Sequence, residues 1–147
     1  MNNNEENESL VLHHVAIAVK DIAAVIDYFA LSLGAKWDGE ISHDPEQRAK
    51  VAFLSPINGL LGAPHIELIQ ADHSTAPLAR FVANGGGLHH LCYEVVNLEV
   101  RLAHMRAQGA IIVKKPTPAL AFAGRRIAWV YTRQRLLLEY LENGHTT

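Results

Sequence analysis

One cysteine, Cys92, stands in a chain of 147 residues, so no disulfide can form within it and the core must hold by packing alone. That usage suits a reducing compartment, and a cytoplasmic location is the expectation. An excess of one charge is also missing. Thirteen Lys and Arg stand against 15 Asp and Glu, a net charge of -2 with His neutral. A balance of this kind gives no long-range attraction to nucleic acid or to an anionic membrane, and neither is expected as a partner. No apolar run approaches the roughly 20 residues of a membrane span. The opening residues 1–10, Asn- and Glu-rich, lack the basic and apolar regions of a signal peptide and read as a disordered polar tail.

Hydrophobic residues make up 49% and charged ones 19%, a globular composition. One phrase is written twice: "LHHVAIAV" from Leu12 and "LHHLCYEV" from Leu88. Each copy reads as a strand and is followed by a change to helical period. After the first, Ile22, Val25, Ile26, Phe29 and Leu33 share a face, with Asp21 as N-cap and Gly34 as stop. After the second, Asn97 takes the cap position, Leu98, Leu102 and Met105 make the stripe, and "QGA" closes it. Three strands then follow in each half: Trp37–Ser42, Lys50–Leu54 and His65–Ala71, then Ile111–Lys114, Ile127–Tyr131 and Leu136–Glu142. The segment "HSTAPLARFVANGGG" predicts a short linking helix capped by Ser74 or Thr75.

The chain therefore reads as an internal duplication of a βαβββ unit, an α+β protein. Module 1 spans about 11–71, the linker helix about 72–87 and module 2 about 88–142, within one domain over 11–142.

In a strand, alternate side chains face opposite sides. His14 thus shares a face with Ala16 and Ala18, a ligand-grade group beside small residues that suggest a cavity wall. His13 goes with Val15, Ile17 and Val19 on a core face. By register His90 matches His14, sharing its face with Cys92 and Glu94. Two carboxylates interrupt apolar strands in the same manner, Glu67 in "HIELIQ" and Glu139 in "LLLEYLE". A carboxylate is costly to bury unless a cation compensates it. Two imidazoles and two carboxylates suit Mn, Co, Ni or Zn with positions left for water or substrate. A purely structural zinc site would favour thiolates. Each position also has a plainer reading. His14 or His90 alone fits a hydrogen-bonded strand end, Glu67 the wet face of a sheet, and Glu139 an ion pair with Arg126. Glu142, His65, His73, His104 and His145 read as surface residues.

On "LHHVAIAVKDI", "VAFL", "HIELIQA", "STAPLARFVANGGGLHHLCYEV" and "RRIAWVY…LLLEYLE", residues 11–142 resemble the vicinal oxygen chelate superfamily, which also contains glyoxalases, bleomycin resistance proteins and dioxygenases. Within it they most resemble the methylmalonyl-CoA epimerases. The resemblance implies paired βαβββ modules forming a curved mixed sheet around a metal-containing cavity. It places the metal ligands of one divalent ion (Co, Mn, Ni or Zn) at His14, Glu67, His90 and Glu139. It implies an isomerase that removes a proton alpha to a thioester carbonyl through a metal-stabilised enolate, with Glu139 as first and Glu67 as second catalytic acid–base candidate. A homodimer acting on an acyl-CoA thioester is the accompanying expectation.

The sequence departs from that pattern at Val51, where some epimerases carry a second base, and at the short "YTRQRLLLEY", where they carry a longer His-Pro-Lys loop. Arg125, Arg126 and Arg133 are possible anion contacts, with a solvated surface role as the plainer reading. Three alternatives belong to the same fold. Glyoxalase I, a lactoylglutathione lyase acting on a glutathione adduct, uses the same ligand set. Extradiol dioxygenases use two His and one carboxylate on iron. Drug-sequestering members bind small molecules without a metal.

Overall fold

The computed structural model describes residues 10–59 and 62–144. The expected tail, apart from Leu10, and His145 lie outside the described residues. The chain divides into two compact units, one running His13–His89 and the other made of the described residues on either side of it.

The first unit holds β1 (Val11–Ala18) from His13 on, α1 (Ile22–Leu33), β2 (Ala35–Trp37), β3 (Ser42–Asp44), β4 (Ala49–Pro56), β5 (His65–Ala71) and α2 (Pro77–Ala83). Strand β1 runs parallel to β5, which pairs antiparallel with β4, which pairs antiparallel with β2. The second unit holds β6 (Gly87–Val95) from His90 on, α3 (Leu98–Ala107), β7 (Ile111–Pro118), β8 (Arg126–Tyr131) and β9 (Leu137–Glu142). Here β6 runs parallel to β9, β9 antiparallel to β8, and β8 antiparallel to β7. The same pairing scheme occurs twice, as the repeated His pair suggests. The architecture is α+β.

Local chemistry explains the boundaries. Gly34 ends α1 in a left-handed conformation at φ 59°, its N–H donating back to the last turn. Asp21 occupies the expected N-cap position with extended backbone, but the cap bond comes from elsewhere: the Ile22 N–H donates to the Gln70 side-chain oxygen at 2.8 Å. A residue of β5 thereby fixes the start of α1. Asn97 caps α3 as expected, accepting from the Val100 N–H at 3.0 Å.

Two expectations are corrected. The strand predicted over Trp37–Ser42 is split into β2 and β3, because Gly39 turns the chain at φ 91° and Trp37 Nε1 donates to the Glu40 carbonyl. The linking helix starts after Ala76, with Pro77 in its first turn. Thr75 instead accepts from the Arg48 guanidinium and bonds to His73.

In the first unit the two faces of the sheet bury different sets. Ile22 and Ile26 of α1 join Ala52, Leu54 and Leu68, with Ile17 and Val19 packed against them. Ala16, Ala18, Ala49, Val51 and Ile69 gather with Leu78 of α2, with Phe53 and Val82 alongside. The small residues read as a cavity wall are therefore part of a core cluster with α2. Gly86 makes this close approach possible. Its φ is +64°, and a Cβ there would lie 2.8 Å from the Ala18 carbonyl oxygen. We expect Gly86→Ala to destabilise by about 1–3 kcal/mol through backbone strain and this clash, read as a lower thermal midpoint by circular dichroism. In the second unit Val95, Leu98, Leu102, Ala128, Val130, Leu138 and Tyr140 form the core. Among the described residues no helix is long and apolar enough to cross a membrane.

Candidate metal centre

Each unit buries one His–Glu pair. In the first, His14 on β1 and Glu67 on β5 are brought together by the parallel register, which sets Ala16 opposite Glu67. His14 Nε2 lies 3.0 Å from Glu67 Oε2, and the two side chains are 0% and 2% exposed. In the second unit Cys92 stands opposite Glu139, the same offset of two residues from its histidine. His90 Nε2 lies 3.3 Å from Glu139 Oε2, at 0% and 1% exposure. Both pairs follow from one local rule: a His two residues before the position that faces a carboxylate on the parallel last strand.

A third residue completes each pair and has no place in the sequence reading. Phe53 is the antiparallel partner of Glu67, and its ring meets His14 edge-on at 5.6 Å between centroids. Trp129 is the antiparallel partner of Glu139 and meets His90 edge-on at 4.5 Å. The signal lay in "VAFL" and "IAWVY", where an aromatic sits in the strand preceding each Glu strand. These rings fix the imidazole planes and close an apolar side around each carboxylate.

The electrostatics of each pair call for a hydrogen or a cation between the ring nitrogen and the carboxylate. A neutral imidazole turning its lone pair toward a carboxylate at about 3 Å is repulsive, and a buried carboxylate is costly without compensation. Either a proton on Nε2 or a cation held by both groups resolves this. The donor set, imidazole nitrogen with carboxylate oxygen, fits a borderline divalent ion and offers no thiolate cage for a structural zinc.

Residues 13–129 match the family model of the Glyoxalase/Bleomycin resistance protein/Dioxygenase superfamily. The chain belongs to that superfamily. Among curated members it is 28% identical over 124 residues to an ethylmalonyl-CoA/methylmalonyl-CoA epimerase of Cereibacter sphaeroides, an alignment spanning 83% of this chain and 88% of that protein. It is 34% identical over 97 residues to the mitochondrial methylmalonyl-CoA epimerase of Bos taurus, covering 65% of this chain and about half, 52%, of the bovine one. Among solved structures, a hypothetical protein from Bacillus halodurans C-125 superposes with TM-score 0.79 at 28% identity, covering 95% of this chain and 99% of that one. A methylmalonyl-CoA epimerase from Mycobacterium tuberculosis superposes with TM-score 0.77 at 24% identity, over 92% and 89% of the two chains. That likeness establishes the fold, the vicinal oxygen chelate fold of the superfamily.

Arg126 does not turn to Glu139. Its Nε and Nη2 donate to Glu142 at 2.8 and 2.5 Å, and Nη1 donates to Glu99 at 2.7 Å. The ion-pair reading of Glu139 with Arg126 is thereby overturned, and Arg126 and Glu142 pair with each other while both stay partly exposed. The Arg126 hydrogen bond holds the Glu99 carboxyl below its usual range, while Glu142 and then Glu99 raise the guanidinium further. Val51, 1% exposed, lies two residues from Phe53 in the core cluster with Ala16, so this departure from the resemblance is a buried apolar position. The short "YTRQR" segment is a tight turn. Arg135 takes φ 65°, and Thr132 accepts from the Arg135 and Leu136 N–H groups. His65, read from sequence as a surface residue, is half-buried and bonded through Nδ1 to Ser55 Oγ at 3.1 Å.

Proposed function

We propose that His14, Glu67, His90 and Glu139 together hold one divalent cation, and that the protein epimerises a small acyl-CoA thioester by removing and returning its alpha proton. The observation that carries this reading is the buried His–Glu–aromatic set present once in each unit, in identical register, in a chain whose curated relatives include acyl-CoA epimerases. Bound there, a divalent ion supplies Lewis-acid stabilisation of the negative charge that develops on a substrate carbonyl oxygen.

The remaining chemistry belongs to the chain. Glu139 takes the alpha proton onto a carboxylate oxygen as the C–H bond breaks and its electron pair moves toward the thioester carbonyl. Glu67, in the matching position, begins the cycle as the protonated acid and delivers its proton to the opposite face of the same carbon. It ends as the carboxylate while Glu139 ends protonated, and the reverse direction exchanges the two roles. His14 and His90, their rings set against Phe53 and Trp129, would offer Nε2 lone pairs to the ion. Burial of both carboxylates keeps bulk water from competing for the proton in transit.

The test is proton exchange. Metal is stripped, Co or Mn restored, and the alpha proton of methylmalonyl-CoA followed by NMR in deuterated water. We expect washout and interconversion of epimers only with metal present. A metal-loaded protein that leaves that proton untouched would remove this substrate class, and the same assay would pass to glutathione hemithioacetals.

A further inference from the structure

Beside the first His–Glu pair lies a chain of imidazoles that the ligand set does not use. His13 Nδ1 is 2.8 Å from His14 Nδ1, the ring nitrogen opposite the one that faces Glu67. The His13 ring is also 5.4 Å from that of His65, which is bonded to Ser55. The residue before the other ligand candidate, His89, meets the Phe81 ring edge-on at 5.0 Å.

We infer that His13 is a positioning residue for the metal site, accepting the Nδ1 proton of His14 and so presenting the His14 Nε2 lone pair to the ion. This rests on the metal reading above. An imidazole that ligates through Nε2 must carry its proton on Nδ1, and a partner that accepts that proton fixes both tautomer and ring direction. At 2.8 Å between two Nδ1 atoms only one can donate, so His13 carries its own proton on Nε2. His65, tilted against the His13 ring and anchored on Ser55, limits the turning of His13. The adjacent residue of the pair "His-His" thus acts through its neighbour and never reaches the ion. The ligand atoms of His13 and His14 lie within 4.8 Å of one another, and His13 takes the part of partner to His14 there.

The experiment compares His13→Phe, which keeps an aromatic ring but removes the acceptor, with His13→Asn, whose Oδ1 stands close to the position of Nδ1. Affinity for Co alone is measured by chelator competition on the full-length protein, with thermal melting of the metal-free forms as a fold control. Loss of such a partner is expected to weaken binding about 10- to 100-fold in His13→Phe, with His13→Asn restoring it to within about threefold of the original protein. Long-range proton–nitrogen NMR of the Zn-loaded protein should show His14 protonated at Nδ1, a signature that His13→Phe blurs and His13→Asn keeps. Equal affinity in His13→Phe and the original protein overturns the inference and leaves the metal reading intact. So does an Asn variant as weak as the Phe variant, since the role would then be one of packing. A protein that binds no Co before any substitution removes both.

Discussion

Glu139→Gln is expected to reduce alpha-proton exchange on methylmalonyl-CoA by a factor of about 10²–10⁴, the range set by loss of a general acid–base group. The substitution keeps the shape of a side chain that is 1% exposed and packed between β8 and β6, so the fold should survive it. Because Glu139 is also assigned to the ion, exchange must be measured across a metal titration. If the loss came only from weaker metal binding, saturating Co would restore the rate. If the carboxylate moves the proton, the rate stays low with the site full. Glu67→Gln gives the complementary result. It should leave washout from one epimer in place while interconversion of the two falls, because only the group on the opposite face has been disabled. Washout from both epimers at the original rate in Glu139→Gln would end its assignment as base.

The duplication was open to sequence reading because its elements are local. A His pair opening a strand, a cap, a helical stripe and a glycine stop can each be recognised within a window of some 20 residues, and they occur twice. The four candidate ligands were visible for the same reason: polar residues in apolar runs stand out against period-2 alternation. What escaped was decided between strands. The start of α1 is held by Gln70, a residue 48 positions away, and no cap rule would name it. Arg126 chooses Glu142 and Glu99 over Glu139 because β8 and β9 pair so that Ile127 faces Leu141 while Trp129 faces Glu139. The aromatic beside each His–Glu pair is likewise a matter of antiparallel register. His13 was assigned to a core face by alternation alone, yet its ring nitrogen reaches that of its own neighbour. Side-chain direction at a strand position does not settle what a long polar side chain can touch.

The second large effect separates the two histidines of the later pair. His90→Ala is expected to abolish tight binding of Co, a loss beyond about 100-fold, since even removal of a group that merely supports a ligand costs 10- to 100-fold. His89→Ala should stay within a few-fold of the original protein. The residues are neighbours in sequence and both imidazoles, so composition and local charge change identically in the two variants. They differ in environment: His90 is 0% exposed, against Trp129 and within 3.3 Å of Glu139, whereas the His89 ring meets Phe81. Only a site read by strand face predicts opposite outcomes. His90→Ala also leaves the Glu139 carboxylate buried without its imidazole, which is destabilising by itself, so metal-free melting must accompany the titration. A protein that melts cooperatively and still fails to bind Co assigns the loss to the missing donor. Equal losses in His89→Ala and His90→Ala would mean that the register does not select the ligand, and the four-residue site would fall with it.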